Sequence, residues 1–211
     1  MDHYKDPSLS FYRRYIEPYL RAQNEAEREQ AVRELGEYLG HEYWRSAVKR
    51  EHFSRELATL GEDKTYALVE VLAAFLETRR GQPDAWPEED PYEEGPPLPD
   101  QQGEAAVLAL KMIKSQWRGQ SGPSQLAIPA LLKVLAGGYQ WNVLETAIGT
   151  LGESGDERAI GPLLERLAAG DRRAAKALGQ LKASDALLTA MQSPREDVQR
   201  AAIEALGLGP V

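Results

Sequence analysis

One apolar pattern is written three times between Ile128 and Leu206, and it constrains the architecture more than any other feature of the chain. The first helix of each unit carries Ile128, Leu131, Leu132 and Leu135, then Ile160, Leu163, Leu164 and Leu167, then Ser184, Leu187, Leu188 and Met191. Positions i, i+3, i+4 and i+7 share one face of an α-helix. The second helices match as closely: Ala147, Ile148 and Leu151-Gly152, then Ala174, Ala175 and Leu178-Gly179, then Ala202, Ile203 and Leu206-Gly207. The Leu-Gly pairs recur after 27 and 28 residues (151 to 178, 178 to 206). A single hairpin of that length cannot cover its own apolar face, so this period predicts hairpins stacked as a solenoid.

The punctuation supports the repeat. Gly152, Gly179 and Gly207 fall where helices end and where a left-handed residue costs glycine least, while the recurrent alanines let neighbouring helices approach closely. Ser193-Pro194-Arg195-Glu196 reads as a capping box, with Ser193 as N-cap, Pro194 at the first helical position and Glu196 reaching back. Asp156 and Ser124 are placed as N-caps of the first helices of their units.

Ala127-Ile128-Pro129-Ala130-Leu131-Leu132, Gly155-Asp156-Glu157-Arg158-Ala159-Ile160 followed by Leu163-Leu164, and the run from Val198 to Gly207 carry a family resemblance. At these residues the chain resembles the short HEAT-like repeats of the phycobilisome-lyase type, over residues about 104–211. The resemblance implies an all-α superhelix whose second helices line a concave face. Its superfamily hosts scaffolds, lyases and a few enzymes, so it implies no single activity. Resemblance to the HEAT-like alkylbase DNA glycosylases would imply a basic concave face with a buried tryptophan and a carboxylate, and resemblance to bilin lyases would imply pigment attachment. No residue of this chain matches the catalytic positions of either.

Ahead of the repeats, Asp6-Pro7 opens a helix in which Leu9, Tyr12, Ile16, Tyr19 and Leu20 keep helical spacing. Pro18 should kink or split it, because proline removes a donor and crowds the preceding turn. A second helix runs from about Glu25 to Leu39 and ends at Gly40, its Leu35-Gly36 echoing the later pairs. Residues 41–60 are helical by composition, with Trp44, Ala47, Val48, Phe53, Leu57 and Leu60 as apolar set and Gly61 as terminator. Asp63 is placed as cap of a helix from Lys64 to Arg80, with Leu68, Leu72, Phe75 and Leu76 inward and Arg79 and Arg80 at its negative end.

The chain thus divides into N-terminal hairpins at 1–80 that cap or extend the solenoid, a linker at 81–103, and the repeats at 104–211. The linker holds Pro83, Pro87, Pro91, Pro96, Pro97 and Pro99, seven carboxylates and no basic residue, with Trp86, Tyr92 and Leu98 as its only large apolar groups. That composition reads as a long acidic, proline-rich solvated loop. Beyond it, Ala106, Ala109, Leu110 and Ile113 form another apolar face, and Trp117 to Ser124 a turn. No segment alternates with the period of a strand, so the fold is read as all-α.

The absence of cysteine excludes disulfides, thiolate metal sites and cysteine nucleophiles. No apolar run approaches the ~18 residues of a membrane span and Met1-Asp2-His3-Tyr4-Lys5-Asp6 has no apolar signal core, which points to a cytoplasmic protein with no membrane partner. The net charge of −8 is uneven: −2 over 1–80, −7 over 81–103 and +1 over 104–211. The acidity belongs to the linker, and the repeats are close to neutral.

His3, His41 and His52 lack metal-ligand spacing, and no phosphate-loop, dinucleotide or nucleophile-elbow motif is present. The sequence thus points to no catalytic residue, metal or cofactor. Asp156-Glu157 and Glu196-Asp197 sit at helix starts, where negative charge offsets the dipole, and no carboxylate lies on an apolar face of the repeats. Gly152-Glu153-Ser154-Gly155 reads as a structural turn. The more informative set is basic: Arg172, Arg173 and Lys176 flank one second helix and Arg195 and Arg200 the next, with Tyr139 and Trp141 at the start of the first. In register these form a stripe with aromatic neighbours, suited to an acidic protein surface or to nucleic-acid phosphate. The reading that follows is a non-enzymatic interaction module, a scaffold, adaptor or inhibitor, with a protein partner on its concave face and nucleic acid as the alternative.

Overall fold

The computed structural model describes residues 11–40, 47–81, 100–116 and 123–207, and all regular structure among them is helical. A π-helical turn at Tyr12–Ile16 leads into α1 (Glu17–Arg21), followed by α2 (Glu25–Gly40), α3 (Ala47–Thr59), α4 (Glu62–Arg79) and α5 (Gln101–Gln116). Then come α6 (Pro123–Leu135), α7 (Trp141–Glu153), α8 (Ile160–Ala168) with a leading 3₁₀ turn at Glu157–Ala159, α9 (Arg173–Gln180), α10 (Ser184–Ala190) and α11 (Glu196–Ala205).

The helices stack in two rows, the layout of an all-α helical repeat protein. One row is α4, α6, α8, α10 and the other α2, α5, α7, α9, α11, and the pairs α4–α5, α6–α7, α8–α9 and α10–α11 close the hairpins. α1 packs on α2, and α3 lies beside α5 outside the two-row pattern. The acidic segment therefore interrupts a hairpin, because α4 before it and α5 after it pack on each other. One continuous cluster of buried side chains runs from Phe11 to Ala202.

Pro18 acts as its chemistry requires. It cannot donate to the carbonyl four residues back and its ring crowds that carbonyl, and the turn before it is widened so that the Glu17 N–H reaches Tyr12 O, five residues back. At the opposite end of the N-terminal region, α4 begins earlier than expected. Gly61, at φ +30°, precedes it, Thr65 Oγ1 donates to Gly61 O at 2.9 Å, and Asp63 lies inside the first turn rather than capping it.

The glycines of the Leu-Gly pairs need correction. Gly152 and Gly179 lie inside α7 and α9 and do not take positive φ; among the three only Gly207, at φ +70°, is left-handed. Their role is close approach. A Cβ on Gly152 would stand 2.8 Å from Ala177 Cα of α9, and one on Gly179 would stand 3.0 Å from Ala205 O of α11. The left-handed residues sit three positions later, Gly155 after α7 and Lys182, at φ 57°, after α9. Gly36 is also in close contact, but with the Phe75 ring rather than a neighbouring backbone.

The capping box at Ser193 is not formed either. α11 begins at Glu196, Ser193 Oγ accepts from Arg195 N at 3.3 Å, and Gln199 Nε2 donates to Ser193 O at 2.7 Å. Ser124 falls in the first turn of α6, behind Pro123, instead of ahead of it. Asp156 does cap, its Oδ1 accepting from Arg158 N at 3.0 Å. In the Gly152–Gly155 turn, Ser154 Oγ donates to Leu151 O at 2.6 Å and accepts from Asp156 N at 3.0 Å, which is a structural role. The expectations placed on Asp6-Pro7, Trp44, Trp86, Tyr92, Leu98, His3 and His41 lie outside the described residues.

Candidate docking surface on the second-helix row

The turns inside successive hairpins bring the starts of the second helices to one edge. Trp141 opens α7, Arg172 and Arg173 flank the start of α9, and Arg195 precedes α11. Hydrogen bonds tie these starts to their neighbours: Arg173 Nη1 donates to Trp141 O at 3.2 Å, and Arg195 Nη1 reaches Ala168 O, at the end of α8, at 3.5 Å.

The cations predicted as a stripe are braced by carboxylates. Asp171, with only 8% of its side chain exposed, accepts from Arg173 Nε and Nη2, both at 2.8 Å, and from Arg166 Nη2 at 3.1 Å. Arg173 also lies 3.7 Å from Glu145 of α7, and Arg172 3.6 Å from Glu204 of α11. The two-residue clamp recurs at Asp156–Arg158 and Arg195–Asp197. Each guanidinium meets its carboxylate with two parallel donors, the strongest geometry for such a pair.

Burial alone would raise the Asp171 carboxyl, but the hydrogen bonds from Arg173 and Arg166, and their charges, outweigh it and hold the group below the usual carboxylate range. A carboxyl held down cannot serve as a general acid near neutrality. Its stability contribution is complete above the unfolded value near 4 and is lost as pH falls through the lower folded value. Thermal melts from pH 7 down to about pH 2 should show wild-type stability falling in this acid range, with a smaller fall in Asp171→Asn, which starts from a lower plateau.

The predicted residues divide three ways. Trp141 is 45% exposed, and Lys176 and Arg200 stand on exposed faces of α9 and α11 with no carboxylate within ion-pair distance among the described residues. Arg172, Arg173 and Arg195 are on the same side but paired. Tyr139 leaves the set: it is buried, its hydroxyl pushed up first by that burial and then by the charge of Glu77 in α4.

Sequence reasoning missed the buried polar residues. Asp100, 2% exposed, is bound by Arg79 through Nε at 3.0 Å and Nη2 at 2.9 Å, and its Oδ1 accepts from Gly103 N at 3.0 Å. Asn142 of α7 holds the Asp100 backbone on both sides, accepting from its N at 3.2 Å and donating to its O at 3.0 Å. For Asp171 a signal was present: the spacing Asp-x-Arg or Arg-x-Asp recurs at 156/158, 171/173 and 195/197. Only the N-cap bond from Gly103 is local to Asp100; Arg79 and Asn142, which bury and hold it, are 21 and 42 residues away.

Two hollows lie elsewhere. A cleft of about 830 Å³ between α2 and α4 is lined by Tyr19, Arg28, Val32, Phe75 and Arg79, and a groove of about 580 Å³ between α3 and α5 by Arg50, Ala58, Leu108 and Met112. No histidine lines either one. Among the described residues no three metal-ligating side chains cluster, and no helix is long and apolar enough to cross a membrane.

No protein-family model matches the chain, and no curated protein matches it. Among solved structures, the complex of CpcE and CpcF of phycocyanin lyase from Nostoc sp. PCC7120 is similar, with 21% identity over 99% of this chain and 68% of that chain and a TM-score of 0.44. A likeness of that degree carries no activity, pigment or partner over to this chain.

Proposed function

We propose that this chain is a non-enzymatic helical-repeat module of the HEAT-like kind that binds a protein partner on the exposed side of α7, α9 and α11. Trp141 is the anchor, with Arg172, Arg173, Lys176, Arg195 and Arg200 around it. The observation that carries the reading is the exposure of Trp141 at a helix start whose carbonyl is held by Arg173. A solvent-facing tryptophan beside arginines already oriented by carboxylates is the composition of a binding hot spot, and the paired arginines have little side-chain entropy left to lose on docking. The charge balance favours protein over nucleic acid: Glu145, Asp171, Asp197 and Glu204 offset the arginines, whereas phosphate binding draws on uncompensated cations.

Affinity capture from the source cells, with and without nuclease, tests this with Trp141→Ala and Lys176→Glu, neither of which breaks an ion pair. The expected result is one protein retained by the wild type after nuclease and reduced about tenfold or more by either variant. Recovery of nucleic acid, or a partner lost on nuclease treatment, would favour the alternative. Equal capture by both variants would move the site elsewhere.

A further inference from the structure

Arg79 ends α4 and Asp100 immediately precedes α5, 21 positions further on. Their side chains are joined by two hydrogen bonds, Nε to Oδ2 at 3.0 Å and Nη2 to Oδ1 at 2.9 Å. That contact keeps the two backbones within ~14 Å, the reach of about four extended residues. Extended, 21 residues would reach about 70 Å. The other hairpins show how little chain suffices: α6 ends at Leu135 and α7 begins at Trp141, and α8 ends at Ala168 with α9 beginning at Arg173. Bridging α4 to α5 therefore does not set the length of this connection.

Both ends of the connection are fixed by groups outside it. At the near end Gly81, at φ +73°, donates its N–H to Gly138 O at 2.6 Å, in the turn ahead of α7. At the far end Asn142 of α7 holds the Asp100 peptide groups on both sides, and Asp100 Oδ1 accepts from Gly103 N at 3.0 Å. A Cβ on Gly103 would stand 2.5 Å from Asp100 Oδ2 and 2.9 Å from Val143 Cγ2, so glycine lets α5 close over the carboxylate. Beneath these bonds Leu72, Phe75 and Leu76 of α4 share one buried cluster with Ala106, Leu110 and Ile113 of α5. In addition α4 packs on α6, and α2 on α5. None of these contacts uses a residue between 82 and 99.

We propose that Arg79, Asp100, Gly103 and Asn142 form a lock that makes the α4–α5 hairpin independent of the chain joining it. Residues 82–99 can be cut or exchanged while the parts before and after them stay one folded body. The buried bidentate pair and the apolar cluster act between those parts directly. The entropy of closing a loop grows only with the logarithm of its length, so an over-long connection disturbs the hairpin little. Its six prolines and six carboxylates are tolerated for the same reason, since no helical or core position depends on them.

The inference is independent of the Trp141 reading and is tested on the full chain in two ways. In the first, a site for a sequence-specific protease is inserted after Gly95 and the folded protein is cut. The two pieces should elute together in gel filtration at about 10 µM and keep the helical circular dichroism. With Asp100→Ala or Asn142→Ala, each first checked for uncut folding, the cut pieces should part at a concentration about a hundredfold higher or more for Asp100→Ala, and by a smaller factor for Asn142→Ala. In the second, six glycine and serine residues replace residues 82–99, and the melting temperature should stay within about 5 °C of the wild type. Cut wild-type pieces that separate at 10 µM would show that the fold needs the covalent connection. A replacement that melts more than about 10 °C lower would show that residues 82–99 pack on the fold. Cut Asp100→Ala pieces that part at the wild-type concentration would show that no lock acts there. Each of these results overturns the proposal.

Discussion

Asp100→Ala is expected to cost about 3–5 kcal/mol, the range for stranding one member of a buried ion pair, and to lower the melting temperature by roughly 10 °C. The carboxylate has three ties: two from the Arg79 guanidinium and one from the Gly103 N–H, which is the third residue of α5. Replacing it leaves Arg79 facing a buried site with 22% of its own side chain exposed, and removes the N-cap of the helix that resumes the fold after the acidic segment. The backbone bonds to Asn142 remain, since they use the peptide groups of residue 100. Urea unfolding followed by circular dichroism measures the loss. A cost below about 1 kcal/mol would mean that the pair behaves as a surface ion pair and that the contact between α4 and α5 rests on apolar packing alone.

Gly152→Ala and Gly149→Ala should move stability in opposite directions although both lie in α7. Mid-helix alanine is better than glycine by about 1 kcal/mol where nothing obstructs it, and nothing stands within 4 Å of a Cβ on Gly149. At Gly152 the same methyl group would lie 2.8 Å from Ala177 Cα and 2.9 Å from Ala177 Cβ, and against the Gln180 side chain. A backbone atom cannot rotate away, so α7 and α9 must separate, and overpacking of this kind costs about 1–3 kcal/mol. Thermal melts of the two variants side by side give the sign directly. If Gly152→Ala stabilised, glycine there would serve helix termination, as its place after Leu151 first suggests, and the close stacking of α7 on α9 would not depend on it.

Much of this fold was legible because the apolar residues report the helix face they occupy. Leu131, Leu163 and Leu187 are buried where the spacing placed them, as are Ala147, Ala174 and Ala202. The surface was legible in part: Trp141, Lys176 and Arg200 face outward as the helical period requires, while Tyr139, two residues before α7 begins, is drawn into the core beside α4. The charge of the stripe was not legible, because Glu145 and Glu204 meet Arg173 and Arg172 only through the stacking of helices that lie about 30 residues apart.

The chain by itself determined the helical class, the hairpin register and the positions that face inward, all of which follow from local periodicity and from what glycine and proline do to their own turns. Only the tertiary structure decided that α4 pairs with α5 across the acidic segment, that Asp100 and Asp171 are each bound by arginines with their side chains almost wholly covered, that Gly152 serves contact rather than termination, and that Tyr139 is buried beside α4. The physical reason is common to all four: each depends on an atom from a distant element at contact distance, and a one-dimensional spacing records only which face a residue occupies, not what arrives against it.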